Sequence, residues 1–169
     1  MKRLLAHAGL FFAMFSLASA NPVNVGAAAP IASALDHTGK TVNLSEIYAA
    51  QPYTLVYFYP RADTPGCTAQ GCSLRDAYAT LTEKGVAVVG VSTDSVQAQA
   101  AFRDKYSLPF TLLADTEKVV LKAFGVGSTF GFSSRQAFLI KDGKIIYADH
   151  KGSTKSQADD VIGFLTKPE

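Results

Sequence analysis

The stretch YTLVYFYPRADTPGCTAQGCSLRD, residues 53–76, sets the architecture of this chain. Residues 53–59 are an unbroken run of aromatic and branched side chains, the pattern of a strand buried on both faces. Pro60, Pro65 and Gly66 interrupt regular structure, so residues 60–66 read as a loop. From Thr68 to Glu83 the spacing becomes helical. Cys72, Leu74, Ala77, Tyr78 and Leu81 give a mostly apolar face, and Gly85 ends the helix.

Working outward, residues 86–91 form a second continuous apolar strand, residues 95–106 a helix and residues 110–113 a short strand. Residues 116–124 form a helix stopped by Gly125. Residues 136–140 and 144–147 are strands joined by the turn Lys141-Asp142-Gly143, and residues 156–166 form a last helix. Upstream, a weak strand at residues 31–35 leads through the turn at residues 36–40 to residues 41–43, an N-terminal hairpin. Asn43 or Ser45 caps a short helix through Ala50. (Asn43-Leu44-Ser45 also matches the glycosylation sequon; capping is the simpler role.) Buried strands alternating with helices, closed by a hairpin and a helix, predict an α/β, thioredoxin-like fold. Its central mixed sheet is flanked by helices, with the hairpin at the N-terminus.

The chain has 169 residues, 48% apolar and 18% charged, which suits one domain with a substantial core and excludes disorder or a polytopic membrane protein. Its formal charge of +2 belongs to Lys2 and Arg3; residues 21–169 carry 14 basic and 14 acidic groups. A neutral body without a basic run argues against nucleic acid or an anionic membrane as partner.

Residues 1–20 have the make-up of an export signal. Lys2 and Arg3 precede an apolar run from Leu4 to Leu17, broken only by His7 and Ser16, and Ala18-Ser19-Ala20 fits the small-x-small cleavage pattern. The run is shorter than the ~20 residues a spanning helix needs. The expectation is cleavage after Ala20 and a periplasmic or secreted domain over residues 21–169, with no stable membrane association.

Cys67 and Cys72 are the only cysteines. In an oxidising compartment a cysteine pair defaults to a structural bridge. A bridge stabilises most when it closes a long loop, and these two close a very short one, which favours redox chemistry. Cys67 falls in the first turn of a helix that follows a buried strand, where unpaired backbone N–H groups and the helix dipole stabilise an anion. That favours the nucleophilic thiolate. Thr64 can direct its hydroxyl into the same pocket, and Pro60 can wall it off without a competing N–H.

Pro60, Thr64 and Cys67 resemble the peroxiredoxin active-site pattern Pro-x-x-x-Thr-x-x-Cys. The fuller Thr64-Pro65-Gly66-Cys67-Thr68, Cys72 and Arg75-Asp76 are similar to the bacterioferritin-comigratory-protein or peroxiredoxin Q subfamily. Residues 39–45, 90–95, 108–115, 135–140 and 143–145 resemble further segments of it. The resemblance implies a peroxidatic Cys67, a resolving Cys72 on the same helix, and Arg135 as the arginine that completes the site. It implies a hydroperoxide substrate, an intrachain disulfide, a thioredoxin-like or other dithiol reductant, and no cofactor or metal. A resolving cysteine within the chain removes any chemical need for a dimer, so a monomer or weak dimer is expected. Two features depart from the family. Phe124-Gly125-Val126 reaches Arg135 in nine residues, where a longer segment is common, and Ala137 replaces a frequent Ser or Thr.

Other readings stand beside this one. An exported thioredoxin-fold exchanger or binding module is the alternative function, although exchangers usually carry Cys-x-x-Cys. His37 and His150 match no common zinc spacing. Gly125, Gly127 and Gly131 follow a helix, which suits a turn and not a phosphate loop. Arg75 and Asp76 make a helix-surface pair, Arg61 and Arg103 are solvated charges, Asp94 and Asp115 cap the helices that follow them, and Tyr59 is core with possible substrate contact.

Overall fold

The computed structural model describes residues 21–167, so the leader expected at residues 1–20 lies outside the described part. The strands are β1 (Ser33–Asp36), β2 (Thr41–Asn43), β3 (Tyr53–Phe58), β4 (Val86–Ser92), β5 (Thr111–Ala114), β6 (Ser128–Thr129), β7 (Phe132–Ser133), β8 (Gln136–Lys141) and β9 (Lys144–Asp149). The helices are α1 (Leu44–Ala50), α2 (Pro65–Asp76), α3 (Tyr78–Glu83), α4 (Val96–Lys105), α5 (Val119–Ala123) and α6 (Gln157–Thr166).

Seven strands form one sheet in the order β2-β1-β5-β4-β3-β8-β9. β3, β4 and β5 run parallel, and β8 is antiparallel to β3. The sheet is therefore mixed, with β3 near its centre. Alternation along β3 sends Leu55 and Tyr57, then Tyr59, into a core shared with Leu74, Leu81, Phe102 and Val161. Val56 and Phe58 point the other way, toward Leu44, Val120, Leu121 and Phe124. So α2, α3, α4 and α6 cover one face, and α1 and α5 the other. Burial on both faces is why β3 is a continuous apolar run and not an alternating one.

Several local expectations are corrected. The helix expected from Thr68 starts at Pro65, because proline at the first helical position loses no bond and arrives with a helical φ. It breaks at Ala77 (φ −97°, ψ 8°) before α3 begins. Asp-Ala-Tyr contains no breaker; the break accompanies packing of the Tyr78 ring on Phe110, with centroids 6.0 Å apart. Asn43 takes the N-cap position of α1 but accepts no backbone bond there; its amide donates to Glu46 Oε1 at 2.8 Å. Asp115 caps α5 as expected, accepting from the N–H groups of Val119, Val120 and Leu121 at 2.7, 3.1 and 2.8 Å. Asp94 does not cap α4; Ser95 does, accepting from Ala98 N–H. The short β6–β7 hairpin was not legible as strands.

Candidate active site

Four elements meet at the C-terminal end of β3. Gln136 pairs with Phe58 across the β3–β8 ladder, so Arg135, one residue earlier, arrives where the chain leaves β3 for the loop to α2. Antiparallel pairing thus brings together two residues that lie 68 positions apart, Cys67 and Arg135.

Thr64 is the N-cap of α2, which places Pro65, Gly66 and Cys67 in its first turn. The Cys67 side chain faces the core and is 1% exposed. Arg135 Nη2 donates to Cys67 Sγ at 3.3 Å, and Nη1 donates to Gln70 Oε1 one turn further along α2. The guanidinium fork therefore spans the first two turns of α2. Gly66 leaves room for it: a Cβ there would lie 3.1 Å from Arg135 Nη2. On the other side Gly152, at φ +65°, lies so close that a Cβ would fall 2.2 Å from Arg135 Cγ. Only glycine allows both that approach and that backbone.

The loop itself is tied down. Asp94 Oδ2 accepts from Ala62 N–H at 2.7 Å and from Ser92 Oγ at 2.7 Å, so this carboxylate braces the loop. Asp63, at φ 58°, accepts from Lys105 Nζ and from the Tyr106 hydroxyl. The bonds from Lys105 and Tyr106 hold its carboxyl below the usual carboxylate range. Ser133 Oγ donates to the Tyr59 carbonyl at 2.9 Å, which anchors the β6–β7 hairpin against the same loop. Bracing of this kind fixes the geometry before substrate arrives.

Thr64 Oγ1 donates to the Arg61 carbonyl at 2.9 Å. Its proton is thereby used within the loop, and what the hydroxyl offers a substrate is its lone pairs. Pro60 is half-buried where β3 becomes the loop. Cys72 is half-buried in α2, and both thiols are free. Residues five apart in regular helix have Cα atoms roughly 8–9 Å apart, beyond the about 7 Å a disulfide tolerates. Unwound helix is thus a geometric requirement for any Cys67–Cys72 bond.

The remaining candidates lie apart. Arg75 pairs with Asp76 at 2.7 Å and donates to the Tyr106 carbonyl, and Arg61 is not simply solvated but sits 5.8 Å over the Phe132 ring. Tyr59 is core, its hydroxyl bonded to Gln99 Oε1 and its ring stacked on Tyr57 at 5.5 Å. The Tyr57 hydroxyl has no partner, and burial pushes it well above the usual tyrosine range. His37 Nδ1 accepts from Leu112 N–H and His150 packs on Gln136, on separate elements. Among the described residues no cluster of His, Cys, Asp and Glu could hold a metal. The shortened segment before Arg135 is the β6–β7 hairpin, whose tip leaves Phe130 95% exposed. Sequence reasoning missed Gln70, Asp63, Asp94 and Ser133 as parts of this site. Only Gln70 carried a signal: a polar side chain one turn after Cys67 on the inward face.

A buried thiol at a helix start, under an arginine fork and within reach of a second thiol only by unwinding, suits reduction of a small electrophile better than cross-linking. The class so defined is a thioredoxin-fold thiol peroxidase. Residues 25–148 match the AhpC/TSA family model, and the chain belongs to that family. It is 40% identical over 153 residues to peroxiredoxin Bcp of Escherichia coli (strain K12), covering 86% of this chain and 97% of that protein. It is 42% identical over 120 residues to chloroplastic peroxiredoxin Q of Populus jackii, covering 70% and 55%. Among solved structures, peroxidoxin BcpB of Mycobacterium tuberculosis superposes with a TM-score of 0.78 at 31% identity, covering 83% of this chain and 95% of that one. Xanthomonas campestris peroxiredoxin Q gives 0.71 at 27% identity, covering 79% and 89%. The subfamily resemblance, the α/β fold and the peroxidase class are borne out, and an exchange or binding module is not favoured.

Proposed function

We propose that this peroxidase works as an atypical two-cysteine enzyme on hydrogen peroxide and organic hydroperoxides, with Cys67 attacking and Cys72 resolving. The observation that carries the reading is the Cys67 thiol in the first turn of α2, 3.3 Å from Arg135 Nη2, with a second thiol five positions along the same helix. The Cys67 thiolate attacks one peroxide oxygen. An S–O bond forms, the O–O bond breaks, and the leaving oxygen takes a proton and departs as water or an alcohol. Arg135 Nη2 and the first-turn N–H groups of α2 stabilise that oxygen as charge builds on it. Thr64 accepts from the peroxide O–H, and Pro60 keeps a competing donor out of the pocket. The Cys72 thiolate then attacks the sulfenic sulfur, the S–S bond forms, and hydroxide leaves to be protonated to water. A thioredoxin-like or other dithiol protein reduces the disulfide. No cofactor enters the cycle.

The experiment is chemical trapping. One equivalent of peroxide on the Cys72→Ser protein is expected to leave a stable sulfenic acid on Cys67, seen by mass spectrometry after capture with a dione reagent. That protein completes one round and does not turn over with a dithiol protein. Sulfenic acid found only on Cys72 in the Cys67→Ser protein would reverse the roles.

We further propose that the domain is exported. What supports export is the composition of residues 1–20, a basic start, an apolar run and the small-x-small pattern Ala18-Ser19-Ala20. Residues close behind it are tied into the domain: Val23 N–H donates to the Phe124 carbonyl at 3.1 Å and Gly26 N–H to the Ile145 carbonyl at 2.8 Å. Expression in a bacterium with a periplasm should yield an osmotic-shock product whose intact mass begins at Asn21. Full-length product confined to the cytosol would overturn export.

A further inference from the structure

α6 and the segment before it lie against the part of α2 that holds both cysteines. Two fully buried amides meet there: Gln70 Nε2 donates to Gln157 Oε1 at 2.9 Å. Gln70 is also the residue that receives Arg135 Nη1. A buried polar line therefore runs from Arg135 through Gln70 of α2 to Gln157 at the start of α6. A second tie lies one turn on, where the Ala158 N–H donates to Ser73 Oγ at 3.2 Å. Apolar packing of Ala158 and Val161 in the core of Cys67 and Leu74 completes the seam.

Gln70 lies between Cys67 and Cys72, within the residues that must unwind before Cys72 reaches Cys67, and Ser73 directly follows Cys72. Unwinding through Gln70 breaks its tie to Gln157, while the Ser73 tie anchors the turn beyond Cys72. Gln157 Nε2, in contrast, has no partner although the side chain is fully buried. A buried donor without an acceptor is destabilising, so the seam holds α2 folded with less than its full strength. The amide cannot be reversed without loss, because its oxygen is already committed to Gln70 Nε2.

We propose that Gln157 is a positioning residue that latches α2 in its helical state and so sets how fast the Cys67 sulfenic acid is resolved. The inference rests on the resolving role given to Cys72 above. While the latch holds, Arg135 stays over Cys67 and peroxide is attacked quickly. The sulfenic acid formed in that state is open to a second peroxide, which transfers one oxygen to give sulfinic acid and leaves as water or alcohol. Release of the latch lets Cys72 reach the sulfur first. Gln157 thereby tunes the division between recyclable disulfide and dead-end oxidation.

The test uses the reduced mature protein with one and with many equivalents of hydrogen peroxide, reading disulfide formation by stopped flow and Cys67 sulfinic acid by mass. Gln157→Met keeps the volume and removes the acceptor for Gln70. Loss of one buried hydrogen bond should raise the resolution rate about fivefold and lower the sulfinic fraction in proportion. Gln157→Glu keeps an acceptor oxygen for Gln70 and should resolve more slowly than Gln157→Met. A residue that only fills space would behave the opposite way, since a buried glutamate disturbs packing more than methionine does. An unchanged resolution rate in Gln157→Met, or faster resolution in Gln157→Glu than in Gln157→Met, overturns the latch alone. Wild-type protein that consumes peroxide without forming the Cys67–Cys72 disulfide overturns the resolving role of Cys72 and the latch with it.

Discussion

Replacing Cys67 with serine is expected to reduce peroxide consumption to that of the dithiol in buffer alone. The proposed reaction needs an anionic, polarisable nucleophile at the start of α2. A thiol ionises with a pKa of about 8.5 in water, whereas a serine hydroxyl stays protonated across the working range. Arg135 and the helix start stabilise an anion only where one can form. The substitution is nearly isosteric, so the fold should stay intact; the denaturant midpoint should move by no more than about 1 kcal/mol of stability. A folded protein with no turnover is therefore the expected pairing of results. Retained turnover would make Cys72 the attacking thiol, from a position in mid-helix without Arg135 beside it. Under the proposed roles the two serine variants should differ in kind: loss of Cys72 is expected to spare the first oxidation, and loss of Cys67 to leave nothing to resolve.

The architecture was legible wherever one local signal dominated. Residues 53–59 read as a central strand because burial on both faces writes an uninterrupted apolar run. Lys141-Asp142-Gly143 fixed the β8–β9 hairpin because two left-handed residues in succession are costly for most side chains; Asp142 and Gly143 have φ of 49° and 70°. Boundaries failed where tertiary packing sets them. Nothing in Asp76-Ala77-Tyr78 announces the break between α2 and α3, and two-residue strands such as β6 and β7 have no periodicity to detect. The site divided along the same line. Cys67, Cys72, Thr64 and Pro60 lie in one contiguous segment whose spacing carries chemistry. Arg135 was reached only through resemblance, since no local pattern connects it to Cys67. Gln157 was invisible, because its role depends on how α6 meets α2. Asp94 was misread as a cap since its position after a strand suits both a cap and a loop brace, and Ser95 beside it takes the cap.

Arg135→Lys should lower the rate of the first peroxide reaction about 100-fold, the usual consequence of losing one well-placed donor to a developing oxyanion. Charge alone is not what the site requires, because lysine keeps the charge. The geometry requires two nitrogens in one plane, one donating to Cys67 Sγ at 3.3 Å and the other to Gln70 Oε1. A lysine ammonium is a single point at the end of a flexible stem and cannot satisfy both. The stem also runs through a gap shaped by Gly66 and Gly152, so a misplaced ammonium finds no second route to the sulfur. Stability should fall far less, by about 1 kcal/mol for the lost bond to Gln70. Stopped-flow peroxide kinetics and a urea melt on the same preparation give the two numbers. A near-normal rate would require another cation to fill the role. Neither nearby arginine is placed to do so: Arg61 lies over Phe132, and Arg75 is held by Asp76 and the Tyr106 carbonyl. A large fall in rate with a small fall in stability would therefore assign the anion-stabilising role to the guanidinium fork itself, and equal falls in both would make Arg135 a structural strut between α2 and β8.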